Sequence, residues 1–219
     1  MATLSNDQQG GIDFVTTFDG KLVQRVPEGT DGAMPRQLTK GANEGKTVWE
    51  KTYTSVSGMI TDGGVEVKEF GGKKVKEIQL KLDDDTLLQL PMNLLSAFAK
   101  PLPNVDTSKP VKVSVYKNKR GKVGLNLSFT DDPDWRKKIE NDEYVEWVNY
   151  DWAYTRENPG DLPQPVQDEL GEWDFRDHDK FLELEVRKFF ADGFAPDPVA
   201  VVQEALGGTV VEDDTDIPF

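Results

Sequence analysis

Two stretches near the middle of the chain alternate so strictly that a half-covered β-strand suits them best. In Val111–Lys117, the residues Val111, Val113 and Val115 share one parity, and Lys112, Ser114 and Tyr116 the other. In Lys122–Phe129, Val123, Leu125, Leu127 and Phe129 alternate with Lys122, Gly124, Asn126 and Ser128. Successive strand side chains point to opposite faces, so each stretch predicts an apolar face on a core and a polar face toward solvent. Asn118-Lys119-Arg120-Gly121 between them reads as a turn, which makes the pair a β-hairpin.

The text upstream is also β. Phe14–Phe18 and Lys21–Val26 flank Asp19-Gly20, a hairpin signal. Residues 27–46 hold six Gly or Pro and predict a long mobile loop. Thr47–Thr61 is rich in Val, Thr, Tyr and Trp and runs to a turn signal at Asp62-Gly63-Gly64. Val65–Phe70, the Gly71-Gly72 turn and Lys73–Leu82 follow. Asp83-Asp84-Asp85 breaks that run before Thr86–Leu90. Pro91 opens a short helical segment, Asn93–Lys100, and Pro101, Pro103 and Pro110 lead to the closing hairpin.

Several strands, one short helix and a final hairpin give the element order of an OB-fold-like barrel, whose strand face and loops bind oligonucleotides. One apolar run between residues 47 and 90 exceeds what that barrel needs, an inserted hairpin or a long bent strand. The expected class is mainly β, an OB-fold-like barrel with one short helix, followed by an acidic, partly helical C-terminal region. The expected division is a leader, hairpin and loop over 1–46, a DNA-binding core over 47–130, an acidic aromatic-rich region over 131–206, and an acidic tail over 207–219.

Charge supports a division near residue 130. The chain of 219 residues carries a net −14. Residues 1–130 hold 18 Lys and Arg against 15 Asp and Glu, a net of +3, whereas residues 131–219 hold 8 against 25, a net of −17. Such asymmetry suits a binding domain joined to an acidic appendage. In the acidic half, His178–Ala191 reads as an amphipathic helix through Leu182, Val186, Phe189 and Phe190, and Pro198–Leu206 as a further one.

The absence of Cys and the single His178 argue against thiolate zinc and against a His-based triad. Asp83–Asp85 and the Asp131-Asp132-Pro133-Asp134 cluster suggest turns and helix starts rather than a Mg²⁺ site, because consecutive Asp residues diverge. Neither an enzyme, a cofactor nor a metal is expected. The polar opening and the lack of a long apolar run predict a soluble protein of the cytoplasm with no membrane partner.

Strand parity nominates a nucleic-acid surface. On Thr47–Thr61, Val48, Thr52, Val56 and Ile60 take one parity, and Trp49, Lys51 and Tyr53 the other. An aromatic–basic–aromatic stripe is what a single strand needs, since bases stack on rings for roughly 1–3 kcal/mol each and Lys neutralises phosphate. Lys73 and Lys74 after the Gly71-Gly72 turn, Lys112 and Tyr116 on the polar face, and Lys119, Arg120 and Lys122 around the closing turn complete the candidate DNA-binding set.

The chain finishes on Val211-Glu-Asp-Asp-Thr-Asp-Ile-Pro-Phe219, running from acidic to apolar. Carboxylates suit a basic rim, the Phe219 ring an apolar pocket, and Pro218 limits the entropy lost on docking. This ending resembles the C-terminal tip of bacterial-type single-stranded DNA-binding proteins, an acidic cluster followed by Ile-Pro-Phe. The resemblance implies that Asp213, Asp214, Asp216, Ile217, Pro218 and Phe219 dock replication, recombination and repair enzymes, with Thr215 interrupting the acidic run. The Gly/Gln/Pro-rich linker of the cellular proteins is missing, so the arrangement looks more like a bacteriophage version working in the cytoplasm of an infected bacterium, on host or viral enzymes. The expected function is therefore to bind and protect single-stranded DNA and to recruit such enzymes. The rival expectation is an interaction module or acidic DNA mimic that uses the tip without binding DNA, and a metal-dependent nuclease comes third. A net −17 segment tethered to a net +3 domain would also compete with DNA for the basic face.

Overall fold

A computed structural model describes residues 13–39, 43–70, 72–83 and 85–193. The Asp213–Phe219 tip and the expected Pro198–Leu206 helix lie outside the described residues.

Two sheets share one core. The larger has seven strands in the order β3-β4-β2-β1-β8-β7-β6: β1 Asp13–Phe18, β2 Lys21–Val26, β3 Met34–Gln37, β4 Thr47–Tyr53, β6 Ile60–Phe70, β7 Lys73–Leu82 and β8 Thr86–Pro91. Its neighbours are antiparallel except β1 and β8, which run parallel. The smaller has four strands in the order β11-β10-β9-β5: β5 Ser55–Gly58, β9 Val111–Lys117, β10 Val123–Phe129 and β11 Val148–Asn149. A separate two-stranded ribbon pairs β12 Val166–Gln167 with β13 Trp173–Asp174.

The mainly β class and the short helix α1, Leu95–Ala99, match expectation. The barrel does not: among the described residues the ladders end as two sheets, without the pairings that would close them. The reason lies in the surplus strands. The first hairpin, β1–β2, takes places beside β8 and β4, and β3 adds to the far edge of β4. Residues 27–46 are therefore partly strand rather than wholly loop. Asp62-Gly63-Gly64, expected as a turn, lies inside β6. A Cβ on Gly63 would lie 2.4 Å from the Phe190 ring, so glycine there admits a helix and does not turn the chain.

That helix is α3, Arg176–Gly193, close to the expected amphipathic segment. It packs on β6 and on α1, while α1 also touches β10. Leu182, Val186 and Phe190 from α3 join Phe98 and Leu95 from α1, Leu80 and Ile78 from β7, and Val113 and Leu125 from the small sheet in one buried cluster. Each such side chain stabilises the fold by roughly 1.5–3 kcal/mol relative to exposure. Tyr150 and Leu162 belong to the same cluster, so the described part of the acidic half is built into the core shared by both sheets. A second, smaller cluster forms where α2, Trp135–Glu140, brings Trp135 and Ile139 onto Val145 and Trp147. No helix among the described residues is long and apolar enough to cross a membrane.

Candidate nucleic-acid interface

The outward face of β9 and β10 is sparse in side-chain bulk. Register places Ser55, Ser114 and Asn126 in one row, and Ser57, Lys112, Ser128 and Asn149 in the next. Tyr116 stands opposite Gly124. A Cβ on Gly124 would lie 2.6 Å from the Tyr116 ring, so the ring covers the glycine and still leaves Tyr116 45% exposed. An exposed aromatic plate beside a row of small polar residues is a surface on which a flat, polar ring can lie.

Next to that plate is the hairpin turn. Asn118 holds it, its Oδ1 accepting the backbone N–H groups of Arg120 and Lys122 at 2.9 and 3.0 Å. Gly121 follows with φ of +78°, a left-handed conformation that a side chain would strain. Lys119, Arg120 and Lys122 are exposed, and among the described residues none pairs with a carboxylate. Lys117 is different: it pairs with Asp19 at 2.5 Å, where the β1–β2 turn packs so closely that a Cβ on Gly20 would meet the Lys117 side chain at 2.8 Å.

The other nominated residues scatter. Tyr53 is buried, 8% exposed, and donates its hydroxyl to Gln24 at 2.9 Å, with burial raising its pKa. It is a core residue, not a base platform. The bend at Thr54 explains the misreading, because it switches parity so that Tyr53 and Val56 both point inward. Trp49 and Lys51 share the Tyr53 face and are half-buried, so the expected stripe turns toward the core side of its sheet. Lys112 is also half-buried. Its ammonium lies 4.8 Å from the centre of the Trp147 ring, and burial lowers its pKa. Lys73 and Lys74 are exposed at the start of β7, away from the β9–β10 face in the sheet order.

Sequence reasoning passed over two exposed aromatics. Phe14 and Phe18 are 57% and 50% exposed on one face of β1, and Arg36 stacks 4.2 Å over Phe18. Their alternation with buried Val15 was visible, but apolar residues on both parities hide which face is inward. Arg36 also forks onto Glu50 with two 2.7 Å hydrogen bonds, and Arg25 approaches the same carboxylate at 3.7 Å. Glu50 is 6% exposed, so this face of the large sheet spends its cations on a buried acid.

Asp83, expected at a strand break, serves as one: its carboxylate accepts the Met59 N–H at 2.9 Å and pairs with Arg136 at 2.5 Å. Carboxylates of the acidic half reach Lys109 through Asp131 and Lys76 through Glu183. Among the described residues no group of three or more acidic or His side chains is arranged to hold a metal ion. No family model, curated protein or solved structure matches this chain.

Proposed function

We propose that the protein binds single-stranded DNA on the outward face of β9 and β10, and that Asp213, Asp214, Asp216, Ile217, Pro218 and Phe219 dock replication, recombination or repair enzymes. The observation that carries the DNA reading is Tyr116, exposed over Gly124 beside Lys119, Arg120 and Lys122, which pair with no carboxylate among the described residues. The ring offers stacking, the three cations offer phosphate contacts, and the Ser55, Ser114 and Asn126 row leaves room for the strand. A small, open, polar face with no fixed donor array suits a sequence-tolerant binder that works by stacking and charge. The tip supplies the second half of the reading, an acidic run that ends in an apolar anchor.

Fluorescence anisotropy of labelled oligo(dT) and of a duplex of equal length, titrated with the full chain at low and moderate salt, tests the DNA half. Binding of the single strand in preference to the duplex, weakening as salt rises, is the expected result. Failure to bind the single strand at low salt would return the chain to the class of interaction modules. For the tip, full-length protein and a Phe219→Ala variant are compared on a purified bacterial enzyme that recognises acidic Ile-Pro-Phe peptides. The variant should lose that enzyme and keep its oligonucleotide affinity, and equal capture by both would remove the docking role.

A further inference from the structure

Beyond β11 the chain folds back along β10 and is tied down at three points. Tyr150 N–H donates to the Leu127 carbonyl at 3.0 Å, Ala153 N–H to the Lys100 carbonyl at 2.9 Å, and the Asn104 amide to the Asp151 carbonyl at 2.9 Å. Between this segment and β10 lies a recess of about 390 Å³. Asn126 and Asn149 line one part of it, and Asp151, Trp152 and Thr155 another. Asn126 also belongs to the outward row of β10, so the recess opens directly beside the face described above.

The chemistry of the lining is specific. Trp152 is 51% exposed, with the Lys100 ammonium 5.2 Å from its ring centre. Asn149 Oδ1 accepts the Ser128 hydroxyl at 2.7 Å, which leaves the amide N–H groups of Asn149 as its donors toward a ligand. Asp151 in the lining disfavours a phosphate there. A neutral ring with polar edges satisfies an indole face and two carboxamides together.

We propose that this recess is a nucleobase subsite, in which one base of the bound strand stacks on Trp152 and accepts a hydrogen bond from the Asn149 amide. The subsite rests on the single-stranded DNA reading and extends it, for it adds a place where one base leaves the open face and is held by its edge. A base with carbonyl oxygens, such as thymine, suits the Asn149 donor.

The test uses the full chain, with oligo(dT) and an abasic strand of equal length as probes and anisotropy as the readout. Trp152→Ala should weaken oligo(dT) binding roughly 5- to 50-fold and leave the abasic strand unchanged. Asn149→Asp keeps the acceptor for Ser128 and removes the donor, so it should lower the ratio of oligo(dT) to abasic affinity several-fold with the fold intact. If the wild type prefers oligo(dT) to the abasic strand and both variants keep that preference, the subsite is rejected while the face stands. Equal weakening of both probes by Trp152→Ala would make the ring a structural prop and also reject it. Absence of any single-strand binding by the wild type would overturn the functional reading itself.

Discussion

The ion pairs of the large sheet and the turn between β9 and β10 put their cations to different uses. On the large sheet, Arg36 and Arg25 converge on Glu50, and Lys68 pairs with Glu77. These charges are neutralised within the fold. On the small sheet, Lys119, Arg120 and Lys122 gather at one turn without a carboxylate among the described residues, beside an exposed ring. A cation already paired gains little from a phosphate, since it must first give up its partner, whereas an unpaired and hydrated one releases counterions on contact. Counting lysines therefore says less about binding than asking which of them are spent.

That contrast can be broken most sharply at Glu50. Glu50→Ala strands Arg36 on a half-covered face and should cost about 3 kcal/mol by urea unfolding, yet leave the oligonucleotide affinity of the folded protein within about twofold. A large loss of affinity would mean that the paired face binds DNA as well. The reverse variant, Lys119→Glu with Arg120→Glu and Lys122→Glu, should keep the unfolding midpoint and weaken oligo(dT) binding about 100-fold or more at moderate salt. Its plot of log affinity against log salt should flatten by about two in slope, as expected when some three phosphate contacts are lost from a single strand. Tyr116→Ala comes next, with a loss of roughly 10-fold in anisotropy titrations if the ring stacks on a base.

The smallest effect is a control placed away from both faces. Tyr154 donates its hydroxyl to Glu185 at 2.6 Å, and burial first, then that carboxylate, pushes its pKa up to about 12. The folded value lies above the unfolded one of about 10. The stabilisation is therefore complete below about pH 10 and is lost as pH rises through 12. Tyr154→Phe should flatten the fall of the thermal midpoint across that alkaline window and leave DNA affinity unchanged. An equally steep fall in the variant would assign the alkaline loss to other groups.

The parts of this architecture that were legible in the sequence are those fixed by neighbours along the chain. The β9–β10 hairpin was readable because Val111, Val113 and Val115 face Phe129, Leu127 and Leu125 across a turn that Asn118 and Gly121 dictate. Helix α3 was readable from the spacing of Leu182, Val186 and Phe190. The failures came from distance and from a single bend. Alternation cannot report a parity change at Thr54, and one slip moves every following side chain to the other face. Nothing in the text near Lys112 reveals that Trp147 covers it, and nothing near Gly63 reveals Phe190. The barrel was misjudged because element order does not say whether an early hairpin will take the edge that closure requires. Of the candidate face, Tyr116 and the basic turn were visible, while the recess beside Trp152 depends on ties to the Leu127 and Lys100 carbonyls and from the Asn104 side-chain amide.

The run through Thr54 links the sheets covalently, with β4 held between β2 and β3 in one and β5 along β9 in the other. In folding terms, the β9–β10 and β1–β2 hairpins can form early, from neighbours in sequence. The pairing of Ser55–Gly58 with Val111–Ser114 must wait for a long loop to close. The β9–β10 hairpin therefore gains β5 as a neighbour only after that loop has closed. Native-state hydrogen exchange should accordingly show the amides of β4, β5 and β9 opening together, as one cooperative unit.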